Sequence, residues 1–118
     1  MKRGVLIVDD HASFRRLARR VLETGGFNVV GEAADGASTV RAVASLRPDV
    51  VLLDVVLPDT DGFTVAEALA DEPSSPIVVL ISSRSRDDLG RRLDPSAQRF
   101  LAKDEFSCAA LEALLATR

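Results

Sequence analysis

The strongest constraint on the fold is a set of short, β-branched apolar runs separated by amphipathic stretches. Val5-Leu6-Ile7-Val8 leads into Asp9-Asp10, Val50-Val51-Leu52-Leu53 into Asp54, and Ile77-Val78-Val79-Leu80-Ile81 into Ser82-Ser83. A shorter run, Phe100-Leu101-Ala102, leads into Lys103. Runs this short, without polar alternation, read as strands buried on both faces, and so as a mostly parallel sheet. The carboxyl ends of such strands open onto one crevice. Three carboxylates, a hydroxyl and an ammonium are therefore expected to converge there.

The stretches between the runs read as helices. Ala12 to Thr24 places Phe14, Leu17, Ala18, Val21 and Leu22 on one face and Arg15, Arg16, Arg19 and Arg20 around the rest, with Gly25-Gly26 ending it. Phe27 to Gly31 reads as the second strand. Asp35 is placed to cap a helix that carries Val40, Val43, Ala44 and Leu46 inward and stops before Pro48. A loop from Val55 to Thr60 precedes a helix over Asp61 to Asp71, and Pro73 to Pro76 form a turn. Arg86 to Leu93 is predicted as a short helix weakened by Gly90 and ended by Asp94-Pro95, and Phe106 to Ala116 as the closing helix. Alternation of this kind predicts an α/β fold. The expected architecture is a doubly wound five-stranded parallel sheet flanked by five helices.

Length suits one domain spanning residues 1–118, with no output domain expected in the chain. A formal net charge of -3 gives no reason to expect direct nucleic-acid binding. No run has the length of a signal-peptide core or a membrane span, and the single cysteine, Cys108, forms no internal disulfide. A cytoplasmic location without membrane contact is the expectation. Cys108, flanked by alanines and Leu111, reads as a small core residue rather than a nucleophile.

Asp9, Asp10 and Asp54, brought within several ångströms of each other, face a charge problem. Two carboxylates at ~4 Å repel by roughly 4 kcal/mol at an effective dielectric of 20. Protonation or a divalent cation relieves that repulsion, and hard oxygen ligands favour Mg²⁺, with Mn²⁺ as the alternative. Lys103 offers a point charge for a phosphoryl oxygen, Ser82 a hydroxyl donor, and Asp54 a carboxylate nucleophile. These are the parts for phosphoryl transfer onto a carboxylate.

VDD at Val8-Asp9-Asp10 and LLDVVLPDTDG from Leu52 to Gly62, with Ser82 and Lys103, resemble the receiver domain of bacterial two-component response regulators. The resemblance covers the whole length of the chain, and it implies a flavodoxin-like fold with strand order 2-1-3-4-5. It implies that Asp54 accepts a phosphoryl group from a histidine kinase or phosphotransfer protein. It implies that Asp10, Asp54 and the backbone carbonyl of Val56 ligate Mg²⁺ directly, and that Asp9 helps through water. Lys103 then contacts the phosphoryl group and pairs with Asp54 when no phosphate is bound. Ser82 holds the place of the switch hydroxyl and Phe100 that of the aromatic rotamer switch. A downstream output domain or protein, or a phosphorylation-dependent homodimer, is the implied reader of the switched surface.

Several positions depart from that pattern. Phe100 lacks the hydroxyl of the family's frequent tyrosine, so core packing and switching are both open for it. Ser83 competes with Ser82, which is favoured by its spacing. Asp104 follows Lys103 where proline is common, and Asp94 to Gln98 replace the usual small residues before the fifth strand. His11, Val56, Ser83 and Arg84 flank the expected site as modulators of phosphate lifetime, although His11 reads more simply as a rim residue starting the first helix. His11 with Phe14-Arg15 resembles the subset that carries a helix-turn-helix output. Two other readings stand beside the receiver. One is a pseudo-receiver that binds partners without phosphorylation; the other is a Mg²⁺-dependent phosphohydrolase, whose motif Asp59-Thr60-Asp61-Gly62 echoes.

Overall fold

The computed structural model describes residues 3–73, 75–83 and 99–116. Its sheet has five parallel strands in the order β2-β1-β3-β4-β5. They are β1 (Gly4–Val8), β2 (Asn28–Ala33), β3 (Val50–Asp54), β4 (Ile77–Ser82) and β5 (Arg99–Ala102). Among the described residues there are four α-helices: α1 (Ala12–Thr24), α2 (Gly36–Leu46), α3 (Gly62–Ala70) and α4 (Cys108–Ala116). The helix expected over Arg86 to Leu93, the break at Asp94-Pro95 and Arg84 all lie outside the described residues.

Strand alternation divides the core into two layers. Leu6, Val8, Val51, Leu53 and Leu80 point to one face, where Val43 of α2 and Phe63, Val65 and Leu69 of α3 cover them. Val5, Ile7, Val50, Leu52 and Val79 point to the other, against Ala18 and Leu22 of α1 and Leu111 and Leu115 of α4. Both faces of β1 and β3 are buried throughout, as the unbroken apolar runs require.

Local chemistry fixes the helix starts. Asp35 caps α2 by accepting from the Ser38 N–H at 2.8 Å, and Asp61 caps α3 by accepting from the Thr64 N–H at 2.8 Å. The closing helix starts at Cys108, two residues later than predicted. A 3₁₀ turn occupies Lys103–Glu105, Phe106 is extended, and Ser107 Oγ accepts from the Ala110 N–H at 3.0 Å.

Three sequence expectations shift. Strand β2 does not end at Gly31 but continues to Ala33, because Gly31 forms part of a bulge: Val5 pairs with Val29 and Leu6 with Gly31, skipping Val30. Leu17, expected to face inward, is 53% exposed. At about 100° per residue it stands roughly 120° from the line through Ala18 and Leu22 that meets the sheet. Ala44 and Leu46 are likewise exposed rather than inward, although Leu46 reaches back over Gly31, where a Cβ would meet its Cδ1 at 2.8 Å. Cys108 is a packing residue as expected: it is half-buried, and its Sγ donates to the Val21 carbonyl at 3.1 Å.

Candidate functional site: an acidic crevice closed by one lysine

The crevice lies at the carboxyl ends of β1, β3, β4 and β5. Asp9 is fully buried and follows β1, and its N–H donates to the Ala33 carbonyl of β2 at 3.1 Å. Asp54 ends β3, is 4% exposed, and sits on the α1–α4 side of the sheet by alternation from Val50 and Leu52. Lys103 reaches in from the turn after β5. Its Nζ lies 2.5 Å from Asp9 Oδ2 and 3.1 Å from Asp54 Oδ2. Asp9 Oδ2 finds its partner in that ammonium. Asp54 Oδ1 accepts from the Val56 N–H at 3.1 Å.

Asp10 is exposed at the mouth, and His11 beside it is the N-cap residue of α1. The His11 N–H donates to Asp9 Oδ1 at 2.8 Å, and its Nδ1 lies 3.1 Å from both Asp9 Oδ1 and Asp10 Oδ1. Asp9, Asp10, His11 and Asp54 each bring one ligand atom to within 4.8 Å of the others. The three acids of the sequence expectation thus come together, and Lys103 meets two of them, Asp9 and Asp54. Ser82 is buried at the end of β4 and Ser83 is exposed, which favours Ser82 as the inward hydroxyl. Phe100, 4% exposed, packs among Leu80, Leu53 and Phe63 on the opposite, α2–α3 face. Val56 is 57% exposed at the rim.

Burial pushes the Asp54 carboxyl above the ordinary aspartate range, and the Asp9 charge adds to this; the Val56 N–H and Lys103 oppose it without cancelling it. For Lys103, burial works against the charged form. The hydrogen bonds and charges of Asp9 and Asp54 outweigh it and hold the ammonium above the usual lysine value. The resting crevice therefore keeps a fixed cation against a carboxylate that is costly to ionise.

The floor of the crevice depends on a glycine. Gly62 N–H donates to the Val55 carbonyl at 2.7 Å, and a Cβ on Gly62 would stand 2.5 Å from the Asp54 carbonyl oxygen and 2.9 Å from Val55 Cα. Only glycine lets α3 start directly beneath the strand end. Asp59 accepts from the N–H groups of Gly36 at 2.8 Å and Ala37 at 3.1 Å, pinning the loop after β3 to the first turn of α2.

Sequence reasoning missed two contributors. Arg15 reads as part of a solvated basic face, yet its Nη1 donates to the Asp9 carbonyl at 2.5 Å while its Nε donates to Glu32 Oε1 at 3.0 Å. Phe14 reads as a core residue, yet Lys103 Nζ sits over its ring, 4.7 Å from the centroid. The available signal was position: both lie about one helical turn after the acid pair, at the mouth of the crevice.

The chain is 42% identical over 84 residues to protein-glutamate methylesterase/protein-glutamine glutaminase 3 of Hahella chejuensis, covering 71% of this chain and 24% of that protein. It is 38% identical over 101 residues to the transcriptional regulatory protein PdtaR of Mycobacterium tuberculosis, covering 86% of this chain and 49% of the relative. It therefore spans between about a quarter and a half of these curated relatives' length. Among solved structures it superposes on the signal receiver domain of NarL from Mycobacterium tuberculosis with a TM-score of 0.84 at 34% identity, covering 98% of each chain. A chain of the CheX–CheY–BeF₃–Mg²⁺ complex from Borrelia burgdorferi gives a TM-score of 0.80 at 25% identity, covering 95% of this chain and 85% of that one. The family described as response regulator receiver domain matches residues 5–115, and the chain belongs to that family.

Proposed function

We propose that this receiver is a phosphorylation-dependent switch that takes a phosphoryl group onto Asp54 from a phosphohistidine of a histidine kinase or phosphotransfer protein. The observation that carries this reading is the nearly buried Asp54 carboxylate, held 3.1 Å from the Lys103 ammonium beside Asp9. In the step, an Asp54 oxygen forms a bond to phosphorus while the P–N bond to the donor imidazole breaks. The leaving nitrogen keeps the electron pair and then gains a proton. Lys103 stays on the developing phosphoryl oxygens. Water later cleaves the aspartyl phosphate, returning the carboxylate and inorganic phosphate.

The donor set fits Mg²⁺, with Mn²⁺ as alternative. Three carboxylates stand against one ammonium, and their oxygens lie within a single coordination sphere's reach of one another. Asp10 and Asp54 would hold the ion directly with the Val56 carbonyl, and Asp9 through water. When bound, it would offset the negative charge shared between the carboxylates and the phosphoryl oxygens.

Ser82 and Phe100 are the elements that would carry the signal away. Alternation places Ser82 on the same sheet face as Leu80, which pairs with Phe100, while Ser82 pairs with Ala102. A shift of Ser82 toward the phosphoryl group would loosen the wall beside Phe100. One charge-assisted hydrogen bond supplies about 1.5–3 kcal/mol, whereas a full two-state reversal needs roughly 5.5 kcal/mol. Phosphorylation therefore shifts the population part of the way, and a downstream output domain, a partner protein or a second copy completes it. His11, Ser83 and Val56 at the rim would tune phosphate lifetime.

Residues 1–118 would act as one phosphoacceptor unit in the cytoplasm, with no separate substrate and no direct nucleic-acid contact. Among the described residues no helix is long and apolar enough to cross a membrane. The phosphohydrolase reading loses its support, because Asp59 and Asp61 are engaged by the N-termini of α2 and α3. Intact mass after incubation with acetyl phosphate and Mg²⁺ tests the proposal. Gain of one phosphoryl group by the wild type and none by Asp54→Asn is expected. No gain by a folded wild type, even with phosphohistidine donors, would favour a pseudo-receiver.

A further inference from the structure

Lys103 is gripped by a group that carries no charge. An ammonium has three N–H donors. Two carboxylates of the crevice lie against it, Asp9 Oδ2 at 2.5 Å and Asp54 Oδ2 at 3.1 Å, and on another side the Phe14 ring of α1 faces Nζ at 4.7 Å from its centroid. That distance is within the range where a ring's negative face attracts a cation. The same ring packs on Phe106, with centroids 5.9 Å apart and planes tilted by 59°. Phe106 closes the turn that Lys103 opens, its N–H donating to the Lys103 carbonyl at 3.3 Å. Phe14 thus touches both ends of the turn that delivers the lysine.

We infer that Phe14 is a positioning residue for phosphoryl transfer, its ring holding the Lys103 ammonium toward Asp54 at full charge. The inference rests on the function proposed above. A third carboxylate would hold the lysine equally well, but it would compete with the phosphoryl oxygens for the same charge. A ring attracts the cation without neutralising it or taking a proton. Without the ring, the flexible four-carbon stem regains its rotamers, and the shorter contact to Asp9 draws the ammonium away from Asp54. Phe14 also links α1 to the site, because it is only half-buried and belongs partly to the core beneath that helix.

The test compares phosphorylation rates with acetyl phosphate at saturating Mg²⁺ for wild type, Phe14→Leu, Phe14→Met and Phe14→Tyr, with urea midpoints and Mg²⁺ affinity measured alongside. Leucine and methionine keep much of the apolar volume and lose the ring, so each is expected to react about tenfold more slowly. Their Mg²⁺ affinity should stay within about twofold, and tyrosine should restore the rate. Leucine and methionine variants that react as fast as wild type would overturn the inference. A tyrosine variant as slow as leucine would overturn it too, reducing Phe14 to packing. A wild type that takes no phosphate would overturn both this inference and the proposed function, whereas equal rates in wild type and variants overturn this inference alone.

Discussion

Replacing Lys103 by methionine keeps most of the stem and removes only the charge, so it isolates what the ammonium contributes to the resting crevice. Its contacts of 2.5 Å and 3.1 Å to Asp9 and Asp54 correspond to gross attractions of roughly 7 and 5 kcal/mol at an effective dielectric of 20. Desolvation of the ammonium offsets part of this, and the Lys103 side chain is 17% exposed. Removing one partner of a buried pair typically costs about 3–5 kcal/mol, and the partial exposure points to about 3. At pH 7 in EDTA the urea midpoint should therefore fall by about 2 M, for a slope near 1.5 kcal/mol per M. Divalent cation should then reverse the order of affinities. A +2 ion and the ammonium at about 5 Å repel by about 1.7 kcal/mol even at the dielectric of water, so Lys103→Met should bind Mg²⁺ at least about tenfold more tightly. Saturating Mg²⁺ should close most of the stability gap. A loss below about 1 kcal/mol in EDTA, or weaker Mg²⁺ binding by the variant, would refute this electrostatic account.

Asp54→Asn should stabilise the metal-free protein at pH 7. The folded pKa of Asp54 is raised, chiefly by burial, so its favourable contribution is complete below the unfolded value and lost as pH rises through the folded one. The variant's advantage should shrink on acidification, and a constant gap from pH 7 to pH 3 by urea titration would contradict it. Asp35→Ala should behave oppositely. Bonds from Ser38 hold the Asp35 carboxyl below its ordinary range, so the wild type's advantage is present above the unfolded value and disappears as pH falls through the folded one. Thermal melts across pH 2 to 7 distinguish the two. Gly62→Ala should cost about 2–3 kcal/mol in urea and weaken Mg²⁺ binding, since its Cβ would meet backbone atoms of Asp54 and Val55 that cannot swing aside. Unchanged stability would mean that the start of α3 is softer than its contacts imply.

The sheet was legible because every central strand is an unbroken apolar run, and a run that must bury both faces leaves few architectures open. The acids and Lys103 were legible because strand ends in a parallel sheet share one crevice. Where the sequence misled, two signals were being asked to mean one thing. Gly31 reads as a strand end, but glycine also marks a bulge, and only the pairing of β1 with β2 separates these. Leu17 matches helical spacing, but spacing defines a stripe without saying which edge of it meets the sheet. Phe14-Arg15 after His11 resembles one subset of the family but does not point to these contacts, which arise from where the first turn of α1 stands relative to β2 and to the turn after β5.

That arrangement gives a physical reason for the division of labour across the sheet. Asp54 shares its face with Val50 and Leu52, where α1 and α4 lie, and Lys103 and Phe14 meet it there. Leu80 and Phe100 point to the other face, toward α3, and alternation along β4 sends Ser82 the same way. The charge change would thus be made on one layer and felt on the other, with the end of β4 in a position to pass it across. A close-packed layer has discrete arrangements rather than a continuous range. A small movement of Ser82 at the strand end would therefore reach the α3 side as a change in the population of packings, and a partner that prefers one packing would read it there.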